Sequence, residues 1–210
     1  MNKHRGFFIT LEGMEGAGKS SHMAFIAGHL ENTEREIVTT REPGGTPLGE
    51  QIRDLLLMQR SLAIDGLSEL LLMFAARAQH IQEIIIPALQ SGKIVLCDRF
   101  TDSSYAYQGG GRGLPAETIS RLAGIVHADL QPDLTLLFDV PVIIGLERAC
   151  RERVADRFEM EDLQFFEKVR KSYLKIAETE PVRVKLINTD TDIGSVHARI
   201  LEILRDTGLC

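Results

Sequence analysis

Gly13-Met14-Glu15-Gly16-Ala17-Gly18-Lys19-Ser20 is a complete G-x-x-x-x-G-K-[ST] phosphate-binding loop, and few sequence features restrict a fold so tightly. Such a loop must sit between a strand and a helix, and the flanking residues supply both. Phe7-Phe8-Ile9-Thr10-Leu11 is an apolar β-type run. Met23, Ile26, Ala27 and Leu30 recur at i, i+3, i+4 and i+7 on the helix that follows. The glycines let successive backbone N–H groups face one point, where the helix N-terminus adds partial positive charge. Lys19 brings a mobile cation to the outer phosphates, and the Ser20 hydroxyl is placed to ligate Mg²⁺. Gly13, Met14, Glu15, Gly16, Ala17, Gly18, Lys19, Ser20 and Ser21 are therefore the expected ATP-binding residues.

The rest of the chain alternates short apolar runs with amphipathic helices. Strands are expected at Phe7–Leu11, Ile37–Thr40, Ile94–Cys97, Leu134–Val140 and Val184–Ile187. Helices are expected at about 19–31, 48–58, 66–91, 116–127, 142–153, 161–178 and 193–206, with Pro87 kinking the long third one. Alternation of this kind predicts an α/β fold of the P-loop NTPase type, with a five-stranded parallel sheet and helices on both faces. With no repeat or linker in view, the 210 residues read as a single domain, 1–210.

Composition narrows the partners. A formal charge of −6 argues against a nucleic-acid surface. No apolar stretch reaches membrane-spanning length, and the five-residue run behind Lys3, His4 and Arg5 is too short for a signal peptide. Cys97, Cys150 and Cys210 form neither a CxxC pair nor an even framework, so a reduced, cytoplasmic setting is expected.

Ligands of open α/β sheets sit beyond the carboxyl ends of the strands, so strand ends are where the chemistry is sought. Asp98 closes the run Ile94–Cys97, the position of the carboxylate that supports Mg²⁺ in P-loop proteins, and Arg99 beside it projects into the same cleft. The alternative for these two is a strand-end ion pair. Arg148, Arg151, Arg153 and Arg157 crowd one stretch, a lid at about 148–160. They are either a solvated helix face with pairs such as Glu147–Arg151, or a mobile lid that brings one or two arginines to the transferring phosphoryl group. Arg151 and Arg153 are the candidates for that catalytic role.

At this point the chain resembles the thymidylate kinases, which make dTDP from dTMP and ATP. The resemblance is carried, in order, by Glu12–Ser20, Thr40-Arg41-Glu42-Pro43-Gly44-Gly45-Thr46, Ala75-Ala76-Arg77-Ala78-Gln79-His80, Cys97-Asp98-Arg99-Phe100, Asp102–Gly109 and Glu161-Asp162-Leu163. The phosphate loop lacks the arginine of the eukaryotic members, and the arginine-dense lid resembles the bacterial type. The resemblance implies ATP as phosphoryl donor, Mg²⁺ as cofactor, dTMP as acceptor and a homodimer. It places Arg99 and Arg53 on the dTMP phosphate, Glu15 near the nucleotide 3′-hydroxyl, and Arg77, Gln108 and Ser104 at the thymine, with Glu42 in the same dTMP site. Thymine O4 accepts and suits Arg77, while its N3–H suits the Gln108 amide. Family members stack an aromatic residue, four positions before the base-contacting arginine, on the thymine. Here that position is Met73, so Phe74, one residue on, is the expected stacking residue. Tyr107 is expected against the sugar C2′ or as plain packing. A kinase for another nucleotide remains an alternative. A GTP switch is disfavoured because no N-K-x-D motif is present.

Overall fold

The structure, a computed structural model, describes residues 6–31, 33, 35–58, 64–152 and 157–209. Lys3, His4, Arg5, Arg153 and Cys210 lie outside the described residues. The elements follow the alternation: β1 (Phe7–Glu12), α1 (Lys19–Leu30), β2 (Ile37–Arg41), α2 (Pro47–Leu57), α3 (Gly66–His80), α4 (Ile86–Gln90), β3 (Ile94–Asp98), α5 (Thr101–Ser104), α6 (Ala116–Val126), β4 (Leu134–Asp139), α7 (Val142–Glu152), α8 (Leu163–Thr179), β5 (Val184–Asn188) and α9 (Ile193–Asp206). The five strands pair in parallel in the order β2-β3-β1-β4-β5.

The sheet is covered on both faces, and the side chains show why. Phe7, Ile9 and Leu11 of β1 join one apolar cluster with Ile94 and Leu96 of β3, while Phe8 joins the opposite one with Val95 and Cys97. Strict alternation of two buried faces is what a central parallel strand requires. It leaves these strands no polar edge, so chemistry can emerge only at their ends. Register sets those ends level: Leu11 and Arg41 each lie opposite Asp98. The order reverses around β1, with β3 on one side and β4 on the other, so the crevice opens beside the loop that leaves β1.

Two departures from the expected helices stand out. The third helix, expected to kink at Pro87, is instead divided by a π-helical turn, Ile81–Ile85, which precedes α4 and places the proline in its first turn, where a missing N–H costs least. The segment after β3, read from sequence only as a strand-end motif, is helical. Four residues of α5 run into a π-helical stretch, Tyr105–Gly111. That stretch packs against α8, where a Cβ on Gly111 would fall 2.4 Å from the Phe165 ring. Wider π turns are common at functional sites, and this one carries Tyr107 and Gln108.

Candidate active site

The phosphate loop is held open by close backbone contacts. A Cβ on Gly16, whose φ is 68°, would lie 1.9 Å from the Gly145 carbonyl oxygen of α7, so only glycine fits. Gly18 caps α1 in the left-handed region with no side-chain cap, and the first turn carries no acidic residue. The first-turn N–H groups therefore remain available to an anion, with the helix dipole behind them. Lys19 Nζ donates to the carbonyl oxygens of Gly13 (2.9 Å) and Met14 (3.0 Å). Burial, and then the nearby Arg99 charge, lower the Lys19 pKa from 10.5 to about 8. A cation so desolvated gains most when phosphate oxygens replace the carbonyls.

A cavity of about 370 Å³ runs from this loop past the ends of β2 and β3. Among the expected residues, Glu15, Gly16, Gly18, Lys19, Ser20, Ser21, Glu42, Arg53, Arg77, Asp98, Arg99, Ser104, Tyr107 and Gln108 line it. Met14 and Ala17 are buried beneath the loop, and Gly13 supplies a carbonyl to Lys19.

Arg99 lines the cavity and is joined to the phosphate loop through Glu15. Its backbone is in the left-handed region, φ 71°, a strain of about 1–3 kcal/mol for a residue with a side chain. The surroundings impose it: Arg99 N donates to the Leu11 carbonyl at 2.9 Å, and the side chain is gripped on two sides. Nη1 donates to Ser103 Oγ (3.2 Å) and Tyr173 OH (3.1 Å), while Nη2 donates to Glu15 Oε1 (3.0 Å) and Tyr107 OH (3.0 Å). Burial opposes this charge, but Tyr107, Tyr173 and Glu15 hold its pKa well above the usual value. Tyr107 OH also donates to Glu15, so Glu15, Arg99 and Tyr107 form one unit.

Arg77, the expected base reader, is equally fixed. Nε donates to Glu42 Oε2 (2.7 Å), Nη1 to Ser104 Oγ (3.1 Å) and Nη2 to the Phe100 carbonyl (3.1 Å). Glu42 pairs in addition with His80 Nδ1 at 2.9 Å. Burial would raise the Glu42 pKa, yet Arg77 and His80 bring it below 4.5. Glu42 thus orients Arg77. Arg53 Nη1 donates to the Pro43 carbonyl at 3.0 Å, and its pKa is lowered by burial and by Arg41.

Phe74 is a correction. The ring packs among Leu70, Ile119 and Ala123, with the Arg77 guanidinium 4.6 Å from its centre, and does not line the cavity. Met73 lines it instead, as does Phe100. The two residues are neighbours on α3, and α6 takes the Phe74 face into the core.

The lid is only partly in view. Arg151 is exposed on α7, and Arg148 donates to the Thr189 carbonyl at 3.2 Å. Arg157 is docked: Nε donates to the Leu56 carbonyl (2.7 Å) and Nη2 to Glu69 (2.6 Å). Neither Arg151 nor Arg157 lines the cavity.

Several residues that sequence reasoning missed complete the site. Glu12, fully buried at the end of β1, accepts from Phe100 N (2.7 Å), Ser103 Oγ (2.6 Å) and Tyr173 OH (2.7 Å). Burial and then Asp102 push its pKa up to about 7. Glu69 and Arg112 sit behind Gln108. The position of Glu12, at a strand end directly before the loop, was a usable signal; Glu69 and Arg112 offered none.

Mg²⁺ chemistry fits the residues present. Asp98 Oδ1 is buried and has no hydrogen-bond partner among the described residues, so a carboxylate oxygen at the strand end awaits a ligand. No cluster of three or more His, Cys, Asp or Glu side chains suited to a metal occurs among the described residues. Mg²⁺ in nucleotide enzymes needs only one or two protein oxygens, the others coming from phosphates and water.

A phosphate loop and a gripped arginine lining one cavity define a phosphotransferase of the P-loop nucleoside monophosphate kinase class. Comparison with known proteins agrees. The thymidylate kinase family pattern matches residues 11–200. The thymidylate kinase of Methylobacillus flagellatus is 54% identical over 202 residues, covering 96% of this chain and 98% of its own. That of Teredinibacter turnerae is 52% identical over 199 residues, covering 95% and 97%. The solved thymidylate kinase of Ehrlichia chaffeensis superposes with a TM-score of 0.79 at 36% identity, over 96% of this chain and 99% of that one. The chain belongs to the thymidylate kinase family.

Proposed function

We propose that this protein transfers the γ-phosphoryl group of ATP to dTMP, giving dTDP, within the cavity that the phosphate loop and Arg99 line. The observation that carries the reading is Arg99 itself, a partly buried guanidinium held by Glu15, Tyr107, Ser103 and Tyr173 in the cavity that Lys19 also lines. Two anion seats facing one cavity suit a donor and an acceptor that are both phosphorylated.

In this reading the phosphate loop and Lys19 hold the ATP phosphates, with Lys19 exchanging the Gly13 and Met14 carbonyls for phosphate oxygens. Arg99 and Arg53 align the dTMP phosphate as the nucleophile. Glu15 lies near the nucleotide 3′-hydroxyl, and Tyr107 packs against the sugar. Arg77 donates to thymine O4, held in direction by Glu42 and Ser104. Gln108 accepts from N3–H, and Met73 takes the base face assigned from sequence to Phe74. Asp98 and Ser20 are the residues to hold Mg²⁺, which when bound neutralises developing charge on the donor phosphates. Arg151 and Arg153 supply the lid charge, and alanine variants of both with unaltered kcat would remove them from the mechanism. The functional unit is a single domain acting as a cytoplasmic homodimer, which sedimentation of the purified protein tests.

Equilibrium binding of dTMP, dCMP and AMP to the wild type and to Arg99→Ala tests the acceptor site. The wild type should prefer dTMP strongly, and the variant should lose most of its dTMP affinity while keeping that for ATP. Preference for AMP, or dTMP binding indifferent to Arg99→Ala, would overturn the reading.

A further inference from the structure

Behind the cavity wall that carries Gln108 lies a carboxylate with no role in the reaction. Glu69, in the first turn of α3, is fully buried. Its Oε2 accepts from Arg157 Nη2 at 2.6 Å and from Arg112 Nη2 at 3.1 Å. Arg112 reaches on to Glu161 at 2.6 Å. With two guanidinium groups on it, Glu69 is a carboxylate and therefore an acceptor only. Its Oε1 accepts from Gln108 Nε2 at 2.8 Å.

That last bond decides which way an amide points. The two ends of a glutamine amide have nearly the same shape and opposite hydrogen-bonding sense. Turning Gln108 over would place its carbonyl oxygen 2.8 Å from a carboxylate oxygen, with no proton between them. Glu69 thus excludes one of the two orientations. With Nε2 held back, the carbonyl oxygen is the acceptor that Gln108 contributes to the cavity it lines. Thymine presents a donor at N3, whereas cytosine presents an acceptor there. A locked carbonyl oxygen accepts from the first and repels the second.

We propose that Glu69 is the positioning residue that sets selectivity for thymine over cytosine, by fixing the direction of the Gln108 amide, and that Arg112 and Arg157 hold it there. The inference rests on the dTMP-reading role given to Gln108 above. Because Arg157 closes the lid sequence and hydrogen-bonds to Leu56 and Glu69 together, the lid end and the base reader share one anchor.

The test is Glu69→Gln, which keeps the shape but offers both a donor and an acceptor, so that Gln108 is free to turn either way. The ratio of kcat/KM for dTMP to that for dCMP should fall by roughly 10- to 100-fold, mainly through a lower dCMP KM, while dTMP efficiency drops only a few-fold. In a Gln108→Ala background the same change should leave the ratio where it was. Equal losses for both substrates with an unchanged ratio would make Glu69 merely structural and overturn the proposal. Wild-type protein that fails to phosphorylate dTMP would overturn the functional reading and this one with it. Should Glu69→Gln not fold, the side-chain amide signals of Gln108 in the wild type answer the same question. Nε2 protons shifted by a hydrogen bond to a carboxylate and protected from solvent exchange, with dTMP bound, support the lock, and protons with the shifts and exchange rates of a solvated amide refute it.

Discussion

Replacing Glu42 by alanine should be among the most damaging single changes in this molecule. The Glu42 and Arg77 side chains are 3% and 2% exposed, and the carboxylate accepts from Arg77 Nε at 2.7 Å and from His80 Nδ1 at 2.9 Å. Without it, the Arg77 guanidinium stays buried with only Ser104 Oγ and the Phe100 carbonyl as partners. Removing one member of a buried pair costs about 3–5 kcal/mol, since the remaining charge is desolvated and uncompensated. In a chain of this size each kcal/mol lowers Tm by about 2–4 °C, so a fall of roughly 6–20 °C is expected in thermal unfolding. The effect has a definite pH sign. The Glu42 pKa is held below 4.5 in the folded state, so its contribution is complete above that value and fades as pH falls through the folded pKa. The gap in Tm between wild type and variant should therefore narrow below about pH 4.5. Glu42→Ala combined with Arg77→Met should recover much of the lost stability, because both charges are gone, yet dTMP binding should stay impaired. A fall in Tm under about 3 °C for Glu42→Ala alone would refute the reasoning, since it would mean that Arg77 does not depend on this carboxylate.

Two further expectations concern protons. With Lys19 at about 8 in the free protein, ATP binding at pH 8 should take up roughly half a proton, as phosphate oxygens restore its charge. Calorimetry in buffers of different ionisation enthalpy reads this, and no buffer dependence, or the same uptake in Lys19→Met, would contradict it. Glu12 works in the opposite sense on stability. Its pKa of about 7 lies above the ordinary 4.5, so the folded state binds the extra proton and stability declines as pH rises through that window. Glu12→Gln removes the penalty, so the Tm of the variant relative to wild type should rise between pH 5 and pH 8, and a pH-independent difference would show that Glu12 is not the titrating group.

The strands and the phosphate loop were legible because their signals are local. Five apolar runs matched five strands, each observed strand lying within one residue of its expected ends. The loop motif carries its own glycines and lysine in eight consecutive residues. The same holds for Asp98, where a strand pattern ends on an acid. What could not be read depends on packing between distant segments. Tyr173 reaches Glu12 across 161 residues, and Arg157 reaches Glu69 across 88, with no spacing rule linking them. Met73 and Phe74 lie four and three residues before Arg77, so both flank it on the helix and periodicity cannot say which one faces the cavity; packing against Ile119 on α6 takes Phe74 into the core. The π-helical stretch Tyr105–Gly111 escaped for a related reason. Its three consecutive glycines carry no helical signal, and the close fit against α8 accompanies their helical form.

The most direct measurement of the central claim follows the label from γ-³²P ATP. With dTMP and Mg²⁺ present, wild-type protein should move the label into dTDP, should do so far more efficiently than into the diphosphate of cytidine or adenosine, and should lose the transfer in both Lys19→Ala and Arg99→Ala. Label released chiefly as inorganic phosphate, or transferred to AMP in preference to dTMP, would contradict the account.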